Sequence, residues 1–143
     1  MKLRKMFVTI AFFALLATML AACGGGGASE VDAALTSYNI ALSDNAVDSG
    51  EVTFHVHNDA DDLEHEFVIF KTDLPEDQLP LTEEGIVDEN GEGVTAIDEV
   101  EVQPGESQDL TVNLDPGNYV AICNIDSDEM HYQHGMHASF TVN

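Results

Sequence analysis

The sequence is poor in basic residues: its 143 residues include four Lys and Arg against 27 Asp and Glu. Three of the four lie within the first five positions, so Lys71 is the one basic side chain of the remaining sequence. Such a protein cannot neutralise a phosphate backbone, which excludes nucleic-acid binding. The acidic residues are spread along the chain, which favours a saline habitat in which salt screens their repulsion. A docking face for basic partners is the alternative explanation.

Cysteine is also scarce, with Cys23 and Cys123 the two in the chain. Cys23 follows three basic residues and the apolar run 6–22, the pattern of an export signal. The tetrad Leu-Ala-Ala-Cys at 20–23 resembles the lipobox of bacterial lipoproteins. This resemblance implies a signal peptide over 1–22, cleavage before Cys23 and lipidation of its sulfur. A transmembrane anchor is the alternative, but about 17 apolar residues is the bare minimum for a span.

We expect a lipid anchor and flexible glycine-rich tether over 23–36, followed by a single domain over 37–143. Beyond the signal, one lysine stands against 27 carboxylates, which gives a formal charge of −26 before the termini are counted. With Cys23 lipidated, Cys123 has no intramolecular disulfide partner, although exported proteins commonly pair their cysteines. Cys123 is then either a small buried hydrophobe or a ligand, and the residues around it favour a ligand.

The domain is predicted to be all-β. Short apolar or alternating runs at 37–42, 51–57, 66–70, 100–102, 107–114, 119–123 and 138–142 are separated by Pro- and Gly-containing turns. Many short strands of this kind favour a sandwich or barrel. Between residues 71 and 99 the pattern fails, and Leu-Pro pairs at 74–75 and 79–80 limit helix. We therefore expect an acidic loop excursion there with at most a helical turn.

Side chains suited to a soft metal site gather near the end of the chain. Cys123 ends a predicted strand, and His131 and Met136 follow in the loop before the last strand. A thiolate, two imidazoles and a weak thioether form the ligand set of a blue-copper electron-transfer centre. The second imidazole must come from elsewhere, and His65 is the best candidate because it stands at the entry to the apolar strand 66–70.

The same residues carry a resemblance to a known family. A strand ending in Asn58 precedes His65; PGNY at 116–119 leads to Cys123; and HYQHGM at 131–136 leads to FTV at 140–142. Over residues 37–143 the chain resembles cupredoxins of the plastocyanin, azurin and sulfocyanin type. The resemblance implies a cupredoxin-like Greek-key β-sandwich that holds one type 1 copper ion through His65, Cys123, His131 and Met136.

The segment between Cys123 and His131 departs from that pattern because its seven residues, three of them acidic, make it longer than is usual in these relatives. His134 and His137 are therefore alternatives to His131, and Met130 is an alternative to Met136. The HYQHGM motif favours His131 with Met136. The nearby acidic residues, with Glu66 directly after His65, are expected to lower the reduction potential.

The resemblance implies an electron carrier and not an enzyme. A copper storage or delivery protein without redox turnover is the alternative, and a metal-free interaction domain is a third class. We expect a monomer anchored to the cell membrane through lipidated Cys23, on the periplasmic or extracellular face. Its expected redox partners are basic proteins such as a cytochrome or a copper oxidoreductase.

His55 and His57 are a further pair that could grip a metal, because positions i and i+2 of one strand face the same way. Solvated surface histidines are the more ordinary interpretation, and we expect no strong second site there.

Overall fold

The computed structural model of the protein describes residues 27–127 and 129–143. Its nine strands are β1 Ser29–Thr36, β2 Asn39–Leu42, β3 Ala46–Val47, β4 Gly50–Asn58, β5 His65–Thr72, β6 Val94–Val102, β7 Ser107–Leu114, β8 Gly117–Cys123 and β9 His137–Val142. One short 3-10 helix lies at Tyr132–His134, and these two ranges contain no α-helix. The predicted all-β fold is therefore confirmed.

The strands form a sandwich of two sheets. One sheet has the order β2-β1-β4-β7 and the other the order β3-β9-β8-β5-β6. The alternation on β4 turns Val52, Phe54 and Val56 inward, and all three are fully buried. Phe54 meets aromatic rings of the facing sheet, with ring centroids 5.6 Å from Phe67 and 5.5 Å from Phe140. Burial of these apolar inner faces holds the two sheets together.

Strand β5 is buried on both faces, which explains its unbroken apolar run. Phe67 and Ile69 belong to the core between the sheets. Val68 and Phe70 point the other way, into a second cluster that includes Leu79 and other residues of the loop between β5 and β6. The predicted loop excursion is thus a cover over the outer face of the five-stranded sheet, and we call residues 73–93 the cover loop. Within it, Leu81 and Val87 form an isolated bridge.

Two predicted boundaries are wrong. The tether was expected to run to residue 36, but Ser29–Thr36 is strand β1, which pairs in parallel with β4. Its Val31, Ala33 and Leu35 are buried in the core, so residues 29–36 belong to the sandwich. Strand β6 begins at Val94 and not at residue 100. A bulge opposite Ile69/Phe70 interrupts its alternation, which explains why the sequence pattern did not predict the first part of the strand. The predicted signal at 1–22 and Cys23 lie outside the described residues.

Strand ends meet at one pole of the sandwich. Strand β4 ends at Asn58, β5 begins at His65, and β8 ends at Cys123. Parallel pairing places the end of β1 beside the end of β4, with Leu35 opposite Asn58. The loops that carry the chemically distinctive side chains therefore converge on this pole, on a rigid scaffold.

Candidate metal centre

Three donor atoms meet at this pole. His65 Nδ1 lies 3.2 Å from His131 Nδ1, and Cys123 Sγ lies 3.6 Å from the former and 3.3 Å from the latter. All three residues are buried. Among the described residues they are the only group of three or more His, Cys, Asp or Glu whose donor atoms lie within 4.8 Å of one another.

The triangle of donors fits a metal ion. The point equidistant from its three corners lies about 2 Å from each, close to the distances of about 2.0 Å to imidazole nitrogen and about 2.3 Å to thiolate sulfur seen in zinc proteins. Two imidazoles and a thiolate are soft ligands that suit copper. The group formed by His65, Cys123 and His131 could hold one copper ion.

Asn58 fixes the loop that presents His65. Its wholly buried amide donates hydrogen bonds to the Leu63 carbonyl at 2.8 Å and the Val102 carbonyl at 2.9 Å. Its side-chain oxygen accepts a third bond from the Ala60 N–H at 2.9 Å. With these bonds, the loop is tied to β6 on one side and β4 on the other, so the position of His65 is set by the sheet.

Cys123 is held from two directions. The Glu66 N–H points at its sulfur at 3.4 Å, and the Cys123 N–H donates to the Met136 carbonyl at 3.0 Å. The next residue, Asn124, makes two bonds to the backbone of Val87: it accepts from the N–H at 2.7 Å and donates to the carbonyl at 3.2 Å. The cover loop therefore fixes the position of Asn124, the residue that directly follows the Cys123 thiol.

The loop from His131 to Met136 is a single tight turn. Gly135 ends the short 3-10 helix with φ of 95°, a conformation that favours glycine. This turn allows the Met136 N–H to donate to the His131 carbonyl at 3.1 Å. Met136 is thus bonded through its backbone to both His131 and Cys123, and its side chain is fully buried. Its role as an axial ligand stays a prediction.

Tyr132 and Gln133 dock this turn onto the cover loop. The Tyr132 hydroxyl accepts from the Leu79 N–H and donates to the Glu76 carbonyl, both at 2.9 Å. Gln133 donates to the Gly85 carbonyl at 2.7 Å. The cover loop therefore contacts both the segment after Cys123 and the turn that carries His131.

The electrostatic setting favours neutral imidazoles. Burial, with a smaller contribution from His131, lowers the pKa of His65 from an ordinary 6.5 to about 4. Burial also lowers the pKa of His131. Both rings are therefore neutral near pH 7, the form that binds metals. Burial raises the pKa of the Cys123 thiol to about 11, so a metal must displace its proton on binding.

The alternative ligands lie outside the triangle. His134 is exposed and lies tilted against Tyr38, while His137 faces Glu76 at 3.3 Å. Met130 is half-buried. His55 and His57 lie on the outer face of the four-stranded sheet, where their partners are Asp109 at 2.7 Å and Asp59 at 2.9 Å. They are not part of the group of donors that could hold a metal.

Comparison with known proteins identifies the fold. No protein-family model matches the sequence, and no curated protein matches it. Among solved structures, a reduced auracyanin from the photosynthetic bacterium Roseiflexus castenholzii matches with a TM-score of 0.57 and 24% identity over 82% of this chain and 99% of its own. Auracyanin B matches with a TM-score of 0.58 and 18% identity over 81% and 89%.

Rusticyanin from Thiobacillus ferrooxidans, a copper protein, matches with a TM-score of 0.55 and 18% identity over 80% of this chain and 76% of its own. The chain has the cupredoxin fold. The predicted cupredoxin-like sandwich is therefore confirmed. Within this fold, the donor atoms of His65, Cys123 and His131 come together.

Two residues at the site were missed from the sequence. Tyr38, in the turn between β1 and β2, packs edge-on against His131 with ring centroids 5.3 Å apart. Asn124 anchors the Cys123 loop to Val87. Nothing local marks Tyr38, since its contacts join positions far apart in the chain. Asn124 lies directly beside the thiol, and this adjacency was the one available sign of its role.

Proposed function

We propose that this protein is a type 1 copper electron carrier, exported and anchored to a cell membrane by a lipid on Cys23. The observation that carries the proposal is the buried triangle of two imidazole nitrogens and one thiol sulfur, with sides of 3.2 to 3.6 Å. This ligand set, completed by the buried Met136, is that of an electron-transfer copper centre.

Copper in such a centre carries one electron by alternating between Cu(II) and Cu(I). The chain contributes a rigid set of donors, because His65 is set by Asn58 and Cys123 by Asn124, and both asparagines are buried. Residues that are already in place need little rearrangement when the charge of the centre changes. The Glu66 N–H directed at the sulfur supports a thiolate and is expected to tune the potential.

Burial of the donors favours electron transfer over storage or delivery. His65 is fully buried, Cys123 is 1% exposed and His131 is 3% exposed. A delivery protein must pass its metal to another ligand set, which requires donors that a partner can reach. Electrons, in contrast, can cross a thin layer of protein. We therefore propose that the metal stays bound through the redox cycle and that the protein has no enzymatic activity.

The proposed location and partners rest on the sequence. The basic residues, apolar run and Cys23 support export and lipid anchoring, to the periplasmic or extracellular face of the cell membrane. Within residues 27–127 and 129–143, no helix has the length and apolar character needed to span a bilayer. The −26 charge of the chain beyond the signal favours basic redox proteins, such as a cytochrome or a copper oxidoreductase, as partners.

Addition of Cu(II) to the metal-free, reduced-thiol protein tests the proposal. We expect an intense visible absorption band from charge transfer between thiolate and copper, and its reversible loss and return on reduction and reoxidation. Cys123→Ser should abolish the band and keep the fold, because a hydroxyl is a poor substitute for a thiolate. His55→Ala is the matched control, since it removes an exposed imidazole outside the donor triangle.

A wild-type protein that folds and binds Cu(II) without an intense visible band would overturn the blue-copper assignment. A band that appears but is lost on the first reduction, with release of copper to a chelator, would favour delivery.

A further inference from the structure

Tyr38 closes the metal centre on the side of His131. Its ring meets the His131 ring edge-on at a centroid distance of 5.3 Å with an interplanar angle of 85°. On its other side the same ring lies tilted over His134 at 4.9 Å. Tyr38 is half-buried and His134 is exposed, whereas His131 is only 3% exposed. Tyr38 therefore stands between His131 and the solvent.

The hydroxyl of Tyr38 is bound by the segment that leads into His131. It donates a hydrogen bond to the carboxylate of Glu129, two residues before His131. Tyr38 itself belongs to the turn after β1, and β1 is fixed to β4 by seven paired positions from Ser29 to Leu35. The backbone of Tyr38 is thus fixed by the sheet, and its hydroxyl is bonded to Glu129 in the segment before His131. These two attachments keep the ring over His131.

The surroundings of Tyr38 are negative. The Glu129 carboxylate accepts the hydrogen bond of its hydroxyl, and the charge of Asp62 also acts on that hydroxyl. Among residues 27–127 and 129–143, Lys71 is the only Lys or Arg. It stands at the end of β5 remote from His65, where it donates to the Pro116 carbonyl. The surface around Tyr38 therefore offers two aromatic rings bordered by carboxylates.

We propose that Tyr38 shields His131 from water and, with His134, forms the surface through which a positively charged redox protein exchanges electrons with the centre. This inference rests on the proposed electron-carrier function. One electron passes from the reduced partner to Cu(II), which becomes Cu(I). No bond forms or breaks and no proton moves, and Tyr38 is itself neither oxidised nor reduced. Carboxylates at the border fit a partner whose own redox site is ringed by Lys or Arg.

The shielding is tested in the metal-free protein by chemical labelling. We would treat wild type, Tyr38→Phe and Tyr38→Ala with a small water-soluble histidine-acylating reagent and locate the products by peptide mass spectrometry. Tyr38→Ala should label His131 at least several-fold faster than wild type, whereas Tyr38→Phe should stay near wild type because it keeps the ring. His55, whose side chain is exposed on the outer face of the four-stranded sheet and does not contact Tyr38, reports that the reagent is active. Equal His131 labelling in wild type and Tyr38→Ala would refute the shielding.

Electron exchange is tested in the copper-loaded protein. Tyr38→Ala should keep the visible band, lower the reduction potential and slow electron transfer from a basic cytochrome several-fold. The potential should fall because water that reaches the centre stabilises the more highly charged Cu(II). Tyr119→Phe is the matched control: it removes one tyrosine hydroxyl, which donates to the Asp115 carbonyl at the opposite pole, and should change neither quantity.

Tyr38→Ala with the band, potential and transfer rate of wild type would overturn the proposed exchange surface. A wild-type protein without the band would refute the electron-carrier function on which the exchange surface rests, and the labelling would still decide the shielding.

Discussion

Replacing Glu66 by Gln should stabilise the metal-free protein at pH 8 and leave its stability unchanged at pH 4. Glu66 is partly buried beside the candidate metal centre and lies directly opposite Glu101 in the pairing of β5 with β6. Burial, followed by the charges of Glu99 and other nearby carboxylates, raises its pKa from an ordinary 4.5 to about 7. Above pH 7 the folded protein must therefore hold a charge in an unfavourable place.

The size of the effect follows from that pKa. Each pKa unit corresponds to about 1.4 kcal/mol, so the difference between 4.5 and about 7 amounts to about 3 kcal/mol. Solvent screening at this partly buried side chain reduces the expected value to about 2 kcal/mol. Because the folded state binds the proton more tightly, no stability is lost to Glu66 below pH 4.5. The loss grows between pH 4.5 and 7 and is complete above pH 7.

Urea denaturation of wild type and Glu66→Gln at several pH values between 4 and 8 measures this difference. His65, whose pKa is lowered to about 4, makes the wild type less stable as pH falls from 6.5. That contribution is common to both proteins and cancels in their difference to a first approximation. Glu51→Gln, at an exposed position on β4, is the matched control and should change stability little at any pH. A gain for Glu66→Gln that is equal at pH 4 and pH 8, or absent at both, would refute the argument.

Three further predictions concern the ligand loop and the net charge. His131→Ala should abolish the visible copper band whereas His134→Ala and His137→Ala should keep it; the opposite result in absorption spectra would show that the wrong histidine was assigned. Met136→Leu should keep the colour and raise the potential measured by redox titration, because loss of a weak axial donor destabilises Cu(II) more than Cu(I). Raising NaCl from about 0.05 M to about 1 M should raise the melting temperature, since it shortens the Debye length from over 10 Å to about 3 Å; a flat or falling thermal-melt curve would show that the carboxylates do not destabilise the fold.

The sequence was sufficient for the fold class and for the donors that meet at the pole. Alternation on β4 and β7 is regular because each strand turns one face to the core and the other face outward. The grouping of His65, Cys123 and His131 could be predicted because a thiol and two imidazoles stand at predicted strand ends, in an order found in a known family. Local alternation predicts a strand wherever one face of that strand is buried and the other is not.

The same rules failed where the pattern was weak or interrupted. Strand β1 does alternate, with Val31, Ala33 and Leu35 inward, but alanine is a poor strand former and a glycine-rich segment precedes it. In β6 the bulge beside Ile97 breaks the period. Tyr38 and the cover loop act through contacts between distant parts of the chain, which only the folded structure brings together.

The parallel pairing of β1 with β4 also has a consequence for the proposed lipid anchor. Ser29 lies opposite Val52 and Leu35 lies opposite Asn58, so the chain enters the sandwich at the pole remote from His65 and Tyr38. Eight strand residues separate the two poles by about 25 Å. A lipid on Cys23, as proposed above, would therefore attach the protein from the side of the pole opposite the proposed exchange surface. Attachment from that side would leave the surface formed by Tyr38 and His134 accessible to soluble redox proteins.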